Sequence, residues 1–402
     1  MSGQAYDAIV VGARCAGSPT AMLLARSGHR VLLLDRAEFP SDTVSTHLIH
    51  PPGIEALERW GLLDPLLATG IPPIDTYAFD FGPFTISGAP GTEEAPCAYA
   101  PRRTVLDKLL VDAASRAGAE VRDRFVVESL VMDGDRVAGI RGHGKGGKTV
   151  TEQAAVVIGA DGRNSRVADA VGAEEYHEKP RLQVSYYTYW SGLPMDGRFE
   201  TSVRPGLGFA AWPTHDDLTL VIAGRPIDEL DAVRQDVEGS YHRVLEIAPS
   251  FAERVRAAKR EERFAGTAVR SWLRKPYGPG WALVGDAGYN KDFITAQGIH
   301  DAFRDAESCA AALGAWFTGR RSFEDAMREY RARRDEQVLP MYEFTADLAM
   351  LAPLSPELQQ VMSAVSGSRD AMDGFARVIG GVTSPAEFFS DENVGRILGV
   401  VS

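Results

Sequence analysis

The stretch Ile9-Val10-Val11-Gly12-Ala13-Arg14-Cys15-Ala16-Gly17 runs from apolar residues into a glycine turn, and Ser18-Pro19-Thr20-Ala21-Met22-Leu23-Leu24-Ala25 follows. It reads as a buried strand, a tight turn and a helix. Pro19 suits the first helical turn, where backbone N–H groups have no intrahelical acceptor. Gly28-His29-Arg30 ends the helix, and Val31-Leu32-Leu33-Leu34-Asp35 is a second apolar run. It closes on an acid roughly 20 residues past the glycines, the spacing of a βαβ dinucleotide-binding unit. In such a unit Gly12 makes the turn and Gly17 lets helix and strand pack closely. The helix N-terminus, with its free N–H groups and dipole, faces a pyrophosphate. Asp35 would accept hydrogen bonds from ribose hydroxyls. Arg14 replaces the middle glycine of G-x-G-x-x-G and is expected to reach over the pyrophosphate by charge.

The chain has 402 residues, 45% hydrophobic and 24% charged, with a formal net charge of -12. That length suits two or three subdomains, and the composition is ordinary for a soluble globular protein. So acidic a surface repels nucleic acid and anionic membranes, so neither is an expected partner. Cys15, Cys97 and Cys309 are scattered and odd in number. They read as reduced thiols of a cytoplasmic protein and offer no metal site. Residues 8–25 are apolar enough to suggest a signal peptide, but Arg14 interrupts them and no basic segment precedes them. No apolar run reaches the roughly 18 residues of a membrane span.

Outward from the first unit, residues 42–52 hold His47, His50, three hydroxyl residues and two prolines, the composition of an ordered loop. A short helix is predicted over 53–60, stopped by Gly61, and an edge strand or two before residue 100. Residues 102–117 predict an amphipathic helix with Val105, Leu106, Leu109, Leu110 and Ala113 on one face. Residues 126–142 read as a hairpin turning at Asp133-Gly134. Gly142-His143-Gly144-Lys145-Gly146-Gly147-Lys148 imitates a phosphate loop but lies between strands, as a surface turn. Ala154-Ala155-Val156-Val157-Ile158-Gly159-Ala160-Asp161-Gly162 is a second buried strand with a glycine-rich end. From 180 to 275 aromatic and β-branched residues alternate as in an antiparallel sheet, interrupted by a helical stretch over 228–259. Trp281-Ala282-Leu283-Val284-Gly285-Asp286 returns to the first domain. A helix to about 318 and further helices, including 323–339, complete the chain.

Three strand-to-loop junctions thus carry glycines and a carboxylate, at the strand ends where open α/β sheets bind ligands. One extended ligand with a pyrophosphate, a ribose and a second polyol chain uses all three, and FAD is such a ligand. In order and spacing these motifs resemble the para-hydroxybenzoate-hydroxylase-like FAD family, which includes class A flavoprotein monooxygenases, geranylgeranyl reductases and flavin-dependent halogenases. The resemblance covers about residues 6–320. It implies an α/β fold with a Rossmann-like FAD-binding domain in three parts (1–75, 101–180, 276–320). An antiparallel β-sheet substrate domain (76–100, 181–275) is inserted, and a helical C-terminal region (321–402) follows. Gly12, Arg14, Cys15, Ala16, Gly17, Asp35 and Arg36 would surround the ADP half. Arg103, four residues before Asp107, matches the flavin-contacting arginine. Asp161 and Gly162 match the Asp-Gly motif, and Gly285 and Asp286 the Gly-Asp motif, whose acid binds the ribityl chain. Gln297, Gly298 and Ile299 would open a helix toward the flavin pyrimidine edge, where reduced flavin carries negative charge.

Departures bear on the activity. Phe293 stands near the place of a proline usual in the monooxygenases. The Trp-x-Trp-x-Ile-Pro signature of the halogenases is absent, as is their early lysine, since the first lysine is Lys108. No second G-x-G-x-x-G unit follows, so NADPH or NADH docks transiently or a flavin reductase supplies reduced flavin. His47 is the candidate catalytic residue, facing substrate or moving a proton; the alternative is a structural histidine bonding loop backbone. Tyr187, Tyr189 and Trp212 either bind substrate or pack sheet against helix. Asn290 and Lys291 either approach the flavin or lie in a solvated loop. The leading expectation is an FAD-dependent monooxygenase of secondary metabolism. It would use O2, through a flavin peroxide, to hydroxylate or epoxidise an apolar or aromatic small molecule. A geranylgeranyl-reductase-like C=C reductase is the alternative. A flavin-binding protein without catalysis is the third reading, permitted by Arg14 and Phe293.

Overall fold

Short apolar runs ending in glycine turns build the sheet that organises this chain. The computed structural model describes residues 5–399. In chain order it begins β1 (Tyr6–Val11), α1 (Gly17–Arg26), β2 (Val31–Leu34), α2 (Pro51–Trp60), α3 (Leu63–Leu67), β3 (Thr76–Asp80) and β4 (Thr85–Gly88). Then come α4 (Arg103–Arg116), β5 (Glu120–Arg122), β6 (Val126–Asp133), β7 (Arg136–His143) and β8 (Thr149–Gly159). β1 lies between β2 and β8 and is parallel to both. β5 extends this sheet beyond β2, and the strand Trp281–Leu283 joins β8 in parallel on the other side. Ala8, Ile9, Val10 and all of β2 are buried, as expected of parallel strands covered on both faces.

Two glycines set the first junction. Gly12 has φ +105°, and a Cβ there would stand 2.3 Å from the Ala160 carbonyl oxygen. A Cβ on Gly17 would stand 1.8 Å from the Gly12 carbonyl oxygen. The β1 turn, the first turn of α1 and the end of β8 therefore pack backbone against backbone. The glycine- and lysine-rich piece at 142–148 joins antiparallel β7 and β8, so no helix follows it.

The second sheet contains β10 (Gln183–Ser191), β11 (Arg198–Arg204), β12 (Leu207–Pro213) and β13 (Leu218–Pro226), together with β3 and β4. Neighbours are antiparallel except β3 and β11, which run parallel. One face packs Trp190, Phe209 and Val221 on Tyr241 and Phe251 of short helices. The other packs Tyr187, Phe199, Trp212 and Leu220 against C-terminal helices through Met341, Phe375 and Ile379. β9 (Glu175–Lys179), Ser271–Arg274 and Tyr289–Asn290 form a third, small sheet.

Several elements differ from expectation. The stretch 228–259 is a short 3-10 turn and three helices of six to nine residues, not one helix. The helix expected over 323–339 runs as Phe323–Ala349 straight through Pro340. It is held by the buried Arg334, which donates to the Gly288 and Arg274 carbonyls at 3.0 and 2.9 Å. α4 is rotated from its expected face: Val105 and Leu109 are half-buried, while Arg103 and Asp107 are buried with Leu106 and Leu110. Charge pairing across elements, invisible to a periodicity of apolar residues, turns that face inward.

Gly17→Ala is expected to destabilise the fold by about 2 kcal/mol or more, because its methyl would collide with the Gly12 carbonyl and the Ala160 Cβ, neither of which can swing aside. The midpoint of thermal unfolding measures this, and an unchanged midpoint would contradict the packing described.

Candidate active site

The C-terminal ends of β1, β2, β8 and Trp281–Leu283 open on one cavity of about 900 Å³. Its wall includes Gly12, Arg14, Cys15 and Ala16, then Asp35 and Arg36, then Asp161 and Gly162, then Gly285 and Asp286. Four segments far apart in sequence thus meet at the sheet edge where α/β folds bind ligands, in a space near the upper end of the usual ~300–1,000 Å³. α1 begins there with no side-chain cap and no acid in its first turn. Ser18 N donates to the Arg14 carbonyl at 3.0 Å and Pro19 has no N–H, so it is chiefly the helix dipole that favours an anion here.

Asp35 is engaged by backbone. Its Oδ2 accepts from Ala13 N and its Oδ1 from Ala37 N, both at 2.7 Å. It therefore pins the glycine turn to the end of β2. Arg14 does not extend freely over the turn. Its Nη1 reaches Asp107 Oδ2 at 2.5 Å and its Nη2 reaches Ser41 Oγ at 3.0 Å. Arg103 donates to Asp107 Oδ1 through Nε and Nη2, at 3.0 and 2.9 Å. Two guanidinium groups in the cavity wall share one fully buried carboxylate, which leaves an excess of positive charge. Cys15 lies against the same carboxylate, and burial pushes its thiol up to about 12, so it stays neutral.

Asp161, half-buried in the wall, is engaged at the start of the helix Arg166–Ala170, accepting from Ser165 Oγ at 2.5 Å and Arg166 N at 2.7 Å. Asp286 opens onto the cavity. The depth of its position raises its carboxyl to about 6, against the pull of Arg103.

Toward the second sheet the wall continues through Lys291, Asp292, Phe293, Gly298 and Ile299. The helix Gly298–Phe317 starts at this wall with no side-chain cap, and a Cβ on Gly298 would meet only open space. Lys291 is buried, ion-paired with Asp301 and hydrogen-bonded to Tyr289 Oη at 2.7 Å. Burial alone would raise Asp301, but Lys291 and Arg304 outweigh it and hold the carboxyl well below the usual range. Asp305 accepts from Gly285 N at 3.2 Å, tying this charge cluster to the Gly-Asp turn.

The expected substrate-side residues separate. Tyr187 lines the cavity with Ile222, Thr267 and Val269. Tyr189, Trp212 and His47 stand outside the wall and hold its loop from behind. Tyr187 Oη accepts from Ser45 N at 3.3 Å, Trp212 Nε1 donates to the Thr46 carbonyl at 3.1 Å, and Tyr189 Oη bonds His47 Nε2. Three sheet aromatics thus clamp three successive loop residues. His47 is fully buried with φ +62°. Burial, followed by Arg103 and Arg102, keeps its imidazole neutral by pushing its pKa well below the ordinary value. The side chain of Gln297 points elsewhere, donating to the Ile379 carbonyl at 2.7 Å; Gly298 and Ile299 supply the wall. Asp107, Asp292, Asp301 and Asp305 were not singled out by sequence reasoning as site residues. The signal for the last two is a pair of acids four apart, with Arg304 between, near the start of a helix rich in alanine.

Residues 5–345 match the FAD binding domain family. Digeranylgeranylglycerophospholipid reductase 2 of Methanopyrus kandleri is 28% identical over 310 residues, 73% of either chain. The myxobacterial chondrochloren halogenase has a similar fold, with a TM-score of 0.80 at 22% identity, covering 100% of this chain and 98% of that one. So does p-nitrophenol 4-monooxygenase from Pseudomonas putida, with a TM-score of 0.78 at 18% identity, covering 94% and 98%.

Burial raises the Asp305 carboxyl to about 6, above the ordinary value of about 4. The native state therefore holds this proton more tightly than the unfolded chain. The stability it contributes is complete below pH ~4 and is lost as pH rises through ~6. Asp305→Asn keeps an acceptor for Gly285 N without titrating. Its stability relative to wild type is expected to rise between pH ~4 and ~7, and melting both proteins across that range checks the sign.

Proposed function

The chain belongs to the FAD binding domain family, and from that premise we propose that it is an FAD-dependent monooxygenase acting on an apolar or aromatic small molecule. The observation that carries the proposal is the single cavity that continues from the glycine-lined sheet edge to Tyr187 and Ile222 of the second sheet. One end suits a nucleotide, the other an apolar substrate.

The residues present fit FAD. Gly12, Cys15, Ala16 and Gly17 would hold the pyrophosphate at the start of α1, with Arg14 and Arg103, which share Asp107, supplying positive charge. Asp35 shapes the turn while Arg36 lines the ribose end. Gly162, beside the engaged Asp161, and Gly285 would leave room for the chain between the two halves, and Asp286 would accept from its hydroxyls. Gly298 and Ile299, with Gln297 anchoring the helix start, present N–H groups to the flavin end, where they favour negative charge. Bound and reduced, FAD supplies the electrons that activate O2 for transfer to substrate.

The chain's own contribution is orientation and dryness. Loop residues 42–46, clamped by Tyr187, Tyr189 and Trp212, cover the cavity and exclude water. His47 acts through Tyr189 as a positioning residue for that loop. NADPH or NADH serves as a transient reductant, or a flavin reductase delivers reduced flavin.

A second reading, reduction of a C=C bond, is supported by the 28% identity to the archaeal reductase. The two part on oxygen.

Purified protein is expected to show an oxidised-flavin absorbance band, to lose it with NADPH or NADH without air, and to regain it in air. Substrate-coupled oxygen uptake supports the monooxygenase. Anaerobic turnover of an alkene with a reductant would replace it with the reductase. Protein that takes up no FAD would sink both.

A further inference from the structure

We propose, resting on the reading above, that Phe293 is the side chain on which the isoalloxazine ring of FAD packs, so that bound cofactor covers it. Phe293 lies half-buried in the cavity wall. The chain has 17 phenylalanines. Among the described residues, Phe293 alone of them neither joins nor packs against a buried apolar cluster. It also stands near the place of a proline usual in the resembling monooxygenases, so the ring is this chain's own feature.

The neighbouring side chains leave this part of the wall to the ring. Lys291 is committed to Asp301 and Tyr289. Asp292 Oδ1 accepts from Gln183 Nε2 at 2.6 Å and from Ile294 N at 2.9 Å. The second of these bonds caps the 3-10 turn Phe293–Thr295, and the first ties that cap to β10. The ring is therefore presented from a fixed turn, with no apolar body of the protein against it. Covering an apolar ring is favourable, and a flat ring laid on it adds ring–ring attraction. The turn advances only about 2 Å per residue, and Ala296 and Gly298 follow in the same wall. Phe293 thus stands beside the start of the helix Gly298–Phe317, where the flavin end is placed. Adenine, the other ring system of FAD, belongs to the nucleotide end at Asp35 and Arg36.

The test is equilibrium dialysis of the FAD-loaded full chain against graded FAD, with and without ADP, which fills the nucleotide end alone. Both affinities are then read on one protein. Phe293→Ala is expected to weaken FAD about 5- to 100-fold, the range of losing one aromatic contact to a flat ring, and to leave ADP within about twofold of wild type. Phe293→Tyr keeps a ring and is expected to hold FAD within about threefold of wild type. With FAD displaced by excess ADP, F293A is expected to melt within about 2 °C of wild type, because a side chain packed on nothing contributes little to the fold. Unchanged FAD affinity in F293A overturns the assignment and leaves the ring to the substrate end. An equal loss for FAD and ADP overturns it too, as does an F293Y that binds FAD no better than F293A. A large fall in the F293A melting midpoint, or its failure to fold, shows the ring packed within the protein and has the same consequence. All of these outcomes leave FAD binding in place. Wild type that retains no FAD sinks the reading above, and the assignment with it.

Discussion

The buried carboxylate of Asp107 is the point on which the first domain is assembled. A charge with no exposure is tolerated only with close partners, since its desolvation penalty is large. Arg14 reaches it from the turn after β1, and Arg103 from one helical turn earlier on α4. Arg14 also holds Ser41 of the covering loop. One anion therefore joins the sheet edge, a helix and a loop. Because two cations share it, the cavity wall keeps positive charge beside the start of α1.

The far half of the cavity is organised by different physics. Loop residues 45–47 carry almost no secondary structure, yet three aromatics of the second sheet fasten them through backbone or imidazole contacts. Their rings meanwhile pack against the C-terminal helices. Arg334, on the helix Phe323–Ala349, spans to the carbonyls of Gly288 and Arg274. The C-terminal region is thus part of what holds the Gly-Asp turn in place. Beneath it, Lys291, Asp301, Arg304 and Asp305 balance one another in a buried cluster. Such a cluster resists rearrangement, because removing one member strands another.

The strand ends were readable from local pattern. Apolar runs closing on Gly12, Gly159 and Gly285 predicted three junctions on one sheet, and β1, β8 and Trp281–Leu283 lie side by side in parallel. The helix after Gly17, the hairpin at Asp133-Gly134 and the surface turn at 142–148 follow from the same local chemistry. Where the reading missed, a partner distant in sequence had decided the outcome. Apolar periodicity put Val105 and Leu109 inside; Asp107 with its two arginines rotated α4 instead. Aromatic content suggested that Tyr187, Tyr189 and Trp212 share one role, but only Tyr187 reaches the cavity wall.

By itself the sequence determined the architecture: which segments are buried strands, where the chain must turn on glycine, and that several carboxylates lie near one sheet edge. These follow from hydrophobic burial and backbone sterics within a few residues, and so are written locally. Only the tertiary structure decided how each charge is used. Asp35 and Asp161 are occupied by backbone and capping bonds, Asp286 is open, and Asp292 is held on one side by Gln183, 109 residues away. A carboxylate's role depends on which donors surround it, and those donors arrive from other elements only when the sheets pack.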